Sequence, residues 1–264
     1  MKLGLCTDIG HMEKAIDLGY DYVILSGKEI SALDDRAFQK LEEKIREKQI
    51  PVLAFNGLCP AGIDIAGPDY SRDRSETYMK KLIRRGAILG VQNIGVGAPG
   101  SRVVPQGYDR SQSWKQCEEF IRISAAEAQK YDIRISVEEL TEKYCNFINT
   151  LEESRLMQKD CAFPNIGIIV DFFHMEADGK EPEEAAEYID HRLYDVHISG
   201  IDNSKKRPGR PFVEKSDLKK LKRIAKTLKR GGYDRTVSLE PDSAGEDFEK
   251  KAAEALNVMK KAFC

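Results

Sequence analysis

Residues 167–174 read Gly-Ile-Ile-Val-Asp-Phe-Phe-His. A run of β-branched residues that closes on a carboxylate predicts a strand buried on both faces and ending in a polar group. The pattern recurs along the chain: IRISVE runs from Ile133 to Glu138, YDVHI from Tyr194 to Ile198, and TVSLE from Thr236 to Glu240. Further short apolar runs lie at Lys2 to Asp8, Tyr22 to Ser26, Val52 to Asn56 and Asn93 to Ala98. Between the runs come stretches of helical period: Asp35 to Lys48, Arg74 to Leu89, Ser113 to Lys130, Glu183 to Asp190, Asp217 to Lys229 and Phe248 to Ala262. Gly90 and Gly231 stand where left-handed caps would close two of them.

Strand alternating with helix implies parallel strands joined by crossover helices. Eight such units in 264 residues predict one α/β domain over residues 1–264, a single (β/α)8 TIM barrel. An open doubly wound sheet is the rival topology. The longest irregular stretches, Gly57 to Arg72 and Gly97 to Gln112, both follow strands, on the side where barrels build their sites, and are expected to form walls or a lid.

Composition narrows the function classes. Forty-two basic residues against 44 acidic ones leave a formal charge of −2, so no global positive field would gather nucleic acid or anionic lipid. No run approaches membrane-spanning length, and Met1 to Leu5 passes straight into a strand pattern, so neither a membrane span nor a secretory signal is expected. The 6 cysteines lack paired spacing, which suits reduced thiols in a cytoplasm. The basic stretch Lys215 to Arg230 carries Leu218, Leu221, Ile224, Ala225 and Leu228 at helical spacing, so its lysines read as the wet face of a barrel helix.

Chemistry enters at the strand ends. Glu138, Asp171, His197 and Glu240 each close a proposed strand. Each alone reads as a loop cap, but a buried carboxylate needs a cation or strong hydrogen bonds to stay ionised. Their repetition at one end of successive strands therefore argues for a shared positive centre. Three carboxylates and one imidazole make a hard ligand set, which points to one divalent cation: manganese first, with magnesium or cobalt as substitutes and zinc a poorer fit.

These stretches resemble the sugar isomerase and epimerase superfamily of xylose isomerase-like barrels, especially the tagatose and psicose 3-epimerases. The resemblance spans Val91 to Pro241 and rests on VEEL with NFINT at Asn146 to Thr150, DFFHM, VHIS, GYDRTVSLE, and GAPGSRVVP at Gly97 to Pro105. It implies that Glu138, Asp171, His197 and Glu240 bind the metal and that His174 contacts substrate oxygens from beside it. A satisfied core histidine is the plainer reading of His174. Where the 3-epimerases carry a further glutamate that holds the substrate end, Tyr144 stands here. The family arginine after the seventh strand falls in the longer stretch IDNSKKRPGRP, where Lys205 or Arg207 is expected to take its role. Arg102, after the fourth strand, is expected either to reach substrate hydroxyls or a phosphate from the rim or to be simply exposed.

The resemblance implies an enzyme acting on a small sugar or sugar phosphate. A ketose chelated through its carbonyl and a neighbouring hydroxyl would lose its α-proton to give an enediolate, with Glu138 and Glu240 as the acid–base pair. Reprotonation on the opposite face makes an epimerase; on the adjacent carbon it makes an aldose–ketose isomerase. Loss of a β leaving group would instead make a dehydratase or lyase on a keto-sugar or keto-cyclitol. A non-catalytic sugar-binding barrel is disfavoured by the two intact glutamates. An apurinic-site endonuclease would use the same barrel with a histidine-rich three-zinc cluster, against 4 histidines here. Such barrels often pair, so a homo-oligomer is compatible with this reading.

Overall fold

In a computed structural model, which describes residues 1–242, 245 and 247–264, the apolar runs pair as parallel strands in chain order and close on themselves. The strands are β1 (Lys2–Cys6), β2 (Tyr22–Ser26), β3 (Val52–Asn56), β4 (Asn93–Val96), β5 (Arg134–Glu138), β6 (Ile166–Asp171), β7 (Leu193–Ile198) and β8 (Thr236–Leu239). Each neighbours the next, and β8 returns to β1, so the topology is the closed barrel and not the open sheet. Around it run α1 (Met12–Asp17), α2 (Gly27–Ala32), α3 (Asp35–Glu47), α4 (Arg72–Leu89), α5 (Arg110–Gln129), α6 (Leu151–Cys161), α7 (Phe172–Ala177), α8 (Leu218–Arg230) and α9 (Phe248–Phe263).

Sequence and local structure agree closely for the long helices. α4 stops at Gly90, whose φ of 83° is the left-handed conformation that glycine takes without strain. α8 differs from expectation: Gly231 has an ordinary φ of −77°, and the left-handed residue is Gly232, φ 76°. The stretch expected as a helix from Glu183 is a 3₁₀ segment, Pro182–Tyr188. Four helices escaped the sequence reading. Three of them, α1, α2 and α7, have 6 residues each, too short for a period to show. The fourth, α6, opens with a capping box in which Thr150 and Glu153 satisfy each other's backbone amides. The wet face expected of the basic stretch is borne out: Leu221, Ile224, Ala225 and Leu228 of α8 are buried.

The main core lies between the sheet's outer face and the helices, where Val23, Phe55, Ile94, Ile135, Ile168 and Val237 pack on helix residues such as Met79, Phe120 and Leu256. The barrel's interior is different. Tyr22, Ile24 and Ala54, with Cys6 and Leu53, form a small apolar cluster there. Polar pairs share the interior: Ser136 donates to Asn93 at 2.5 Å, and Ser238 donates to Asp195 at 2.9 Å, all buried. Among the described residues, no helix is long and apolar enough to cross a membrane. All 6 cysteines are unpaired.

Candidate metal centre

Strand register brings the polar strand ends together. Asp171 of β6 pairs with His197 of β7, and His197 pairs with Ser238 of β8, two residues before Glu240. The Glu240 amide continues the ladder by donating to Ile198 O at 2.9 Å. Because inward and outward side chains alternate, these residues share the carboxyl mouth of the barrel. Glu138, Asp171, His197 and Glu240 each offer one ligand atom within 4.8 Å of the others.

The inward atoms are defined by their contacts. His197 Nδ1 lies 2.7 Å from Glu138 Oε1 and 3.3 Å from Glu240 Oε2. Asp171 Oδ1 accepts from the Phe173 amide at 2.9 Å, leaving Oδ2 to face the cluster. Glu138 Oε2 lies against Gly97, where a Cβ would displace it from this position. Asn56, at the end of β3, donates to Glu240 Oε1 at 3.3 Å. Two glutamates therefore each keep one oxygen outside the cluster.

Arg210 was missed in the sequence, and it is the cation at this mouth. Its Nη1 is 2.7 Å from Asp171 Oδ2, its Nη2 is 2.9 Å from Glu240 Oε2, and its Nε donates to Glu240 O at 2.9 Å. The guanidinium lies 4.4 Å from the centroid of Phe173 and 3.3 Å from His174 Nε2. An antiparallel bridge, Asp202 N to Gly209 O at 3.0 Å and Gly209 N to Asp202 O at 2.9 Å, turns the chain back so that Arg210 enters the mouth. The two basic residues expected in this role lie elsewhere. Lys205 is exposed on the hairpin tip, and Arg207 is exposed with its guanidinium 4.0 Å over the Tyr144 ring.

Charge follows from these contacts. Burial alone would raise the carboxyls of Asp171 and Glu240, but Arg210, His174 and His197 hold both below the usual range. Burial raises Glu138 despite His197 beside it. Burial would lower His197, yet Glu138 and Glu240 push it well above the usual histidine value. Burial lowers His174 to about 3.

The donor set fits a divalent cation. Asp171 Oδ2 is a fully buried carboxylate oxygen that receives no hydrogen bond, since the close approach of Arg210 lacks hydrogen-bond geometry. Arg210 balances its charge, yet the oxygen's lone pairs are not taken up by a hydrogen bond and stay open to a metal ion.

The remaining expected residues are distributed as follows. His174 is buried against the centre, accepts from the Thr141 amide at 3.2 Å through Nδ1, and lies 3.7 Å from Asp171 Oδ2 through Nε2. Tyr144 packs edge-on against His174 with ring centroids 5.3 Å apart and donates its hydroxyl to Pro208 O at 2.8 Å. Arg102 is neither at the rim nor exposed: it is 0% accessible and donates to Val96 O at 3.1 Å and Ile148 O at 3.0 Å. The two long loops join beside it, with Ile65 N donating to Ser101 O at 2.8 Å. A cavity of about 720 Å³ opens between α6 and α7, reached by His174 and Glu139 but by none of the four cluster residues.

A closed parallel barrel with acid and imidazole side chains converging at its carboxyl mouth places a candidate site where barrel enzymes build theirs. A family model described as the xylose isomerase-like TIM barrel matches residues 12–262, and the chain belongs to that family. The fold is similar to D-psicose 3-epimerase from Clostridium cellulolyticum H10, solved with D-tagatose, with TM-score 0.81 and 20% identity over 100% of this chain and 99% of that one. It is also similar to 3-keto-D-glucoside 4-epimerase from E. coli, with TM-score 0.78 and 18% identity over 98% and 99% of the two chains. The IOLI protein, solved with a zinc atom, aligns with TM-score 0.71 and 21% identity over 99% and 96%. No curated protein matches this sequence.

Proposed function

We propose that this barrel is a divalent-metal-dependent sugar or sugar phosphate isomerase or epimerase, with Glu138 and Glu240 as its acid–base pair. The observation that carries the reading is the convergence of Glu138, Asp171, His197 and Glu240, with one oxygen of each glutamate left outside the cluster. These four residues would hold the ion, manganese by preference, and a bound ion would polarise a chelated carbonyl and stabilise the negative charge that develops on proton removal. Glu138 Oε2 and Glu240 Oε1 remain for proton transfer on the two faces of a ligand. Asn56 holds the second of these oxygens in place, and Gly97 leaves room for the first. Arg210 and His174 line the same mouth and would orient ligand oxygens. The tagatose-bound relative supports a ketose-sized ligand.

The test is to measure bound metal by elemental analysis and to incubate the protein with free and phosphorylated ketoses in deuterated water. Incorporation of deuterium without elimination supports this reading. An unsaturated or deoxy product would transfer the chemistry to a lyase, and an absence of exchange across the panel would overturn the proposal.

A further inference from the structure

A buried polar seam runs away from the cluster into the floor of the barrel. Tyr22 Oη lies 2.7 Å from Ser238 Oγ, and Ser238 Oγ lies 2.9 Å from Asp195 Oδ2 and 3.2 Å from Oδ1. The Val196 amide donates to Asp195 Oδ1 at 2.8 Å. Asp195 Oδ2 then lies 3.4 Å from His197 Nε2. All four residues are at most 3% accessible. Gly4 makes the seam possible, because a Cβ there would overlap the Tyr22 ring.

Donor and acceptor capacity gives this seam one direction. A carboxylate only accepts, so the single Ser238 proton goes to Asp195, and Ser238 can then only accept from Tyr22. Nothing in the seam can donate to His197, and Asp195 therefore faces an N–H at Nε2. Asn56 Nδ2 is 3.5 Å from the same nitrogen, and its two protons also have acceptors in Glu240 Oε1 at 3.3 Å and Cys6 Sγ at 3.7 Å, so it can be satisfied without donating to His197. The ring is held with Nδ1 turned toward Glu138 and Glu240.

From this geometry we infer that Asp195 is a positioning residue: it fixes the ring orientation and tautomer of His197, with Ser238 and Tyr22 fixing Asp195 in turn. The inference rests on the metal-dependent reading above. A histidine ligand whose far nitrogen is held by a carboxylate keeps its ligating nitrogen free and gains basicity, and loss of such a partner weakens metal binding by about 10- to 100-fold. Substituting asparagine would set an amide NH₂ among the three donors that converge on residue 195, so at least one would lose its acceptor. Ser238→Ala removes only the support of Asp195 and acts more weakly.

The experiment titrates Zn²⁺ alone and Mn²⁺ alone into metal-free wild type, Asp195→Asn and Ser238→Ala by calorimetry. It also records the imidazole nitrogen spectrum of each Zn²⁺-loaded protein. The expected result is a loss of affinity of about 10- to 100-fold for Asp195→Asn and a smaller one for Ser238→Ala, with wild type showing His197 protonated on Nε2. A purely structural role would lower the melting temperature without altering affinity or tautomer, and that outcome overturns the inference. Should Asp195→Asn fail to fold, unchanged Zn²⁺ affinity in Ser238→Ala together with an Nδ1-protonated His197 in wild type overturns it equally. A wild type that takes up neither ion would instead remove the metal-dependent reading and this inference with it.

Discussion

Arg210 Nη1 stands 2.7 Å from Asp171 Oδ2, a contact between two buried groups at the mouth of the barrel. The same guanidinium reaches Glu240 Oε2 at 2.9 Å, so one cation neutralises two of the four prospective ligands. Removing it leaves buried carboxylates uncompensated, which costs about 3 to 5 kcal/mol for a buried pair. Arg210→Met is therefore expected to destabilise the metal-free protein by that amount, and Mn²⁺ should restore more stability to the variant than to the wild type. Urea unfolding with and without Mn²⁺ measures both; equal stability of the two metal-free proteins would show the guanidinium to be dispensable.

The proposed proton transfer by the glutamates predicts a loss of rate beyond any loss of metal. Glu240→Gln and Glu138→Gln should each slow deuterium incorporation into a reactive ketose by about 10²- to 10⁴-fold at saturating Mn²⁺. Mass spectrometry of the recovered sugar follows this directly. Wild-type exchange in either variant removes that residue from the chemistry.

His174 gives a pH dependence of stability. Burial holds its folded value down to about 3, against an ordinary value of 6.5. Between these limits the unfolded chain binds a proton that the folded chain does not, so stability is full above about pH 6.5 and falls as the pH drops toward 3. His174→Gln is expected to flatten that limb and to leave the slope above pH 7 unchanged. Urea midpoints of the metal-free proteins across this range provide the check, and parallel curves would contradict it.

Arg102 is expected to matter for stability alone. Its guanidinium donates to Val96 O and Ile148 O in a fully buried setting, and hydrogen bonds from a charged group contribute about 1.5 to 3 kcal/mol each. Arg102→Met should lower stability by at least the smaller amount while leaving the KM for a reactive sugar unchanged. A raised KM in a fully folded variant would return Arg102 to the ligand.

The order of elements and the four clustered side chains were legible because both depend on local pattern. Val-rich and Ile-rich runs announce strands buried on both faces, and a charged residue at the end of such a run is conspicuous. Arg210 was not legible for the opposite reason. Four basic residues crowd between Lys205 and Arg210, counting both, with only Ser204 and the Pro208–Gly209 turn for landmarks, and which one enters the mouth depends on the backbone bridge between Asp202 and Gly209. Spacing alone favoured Lys205 or Arg207, which the hairpin carries outward. Arg102 was misplaced similarly: a loop arginine is normally solvated, but here the two loops close over it. Asp195 was visible two residues before His197, on the same inward face, yet its partners Ser238 and Tyr22 come from strands far apart in the chain.

The hairpin that ends at Arg210 is closed by its own pair of backbone hydrogen bonds, so its tip is insulated from the point where the chain re-enters the barrel. Residues 203–206 are exposed and lie outside the contacts that Arg207 and Pro208 make with Tyr144, so they can be exchanged with the anchor retained. The molecule thus presents a replaceable cassette beside a fixed socket, so the tip can vary in sequence while the guanidinium that it delivers stays in place.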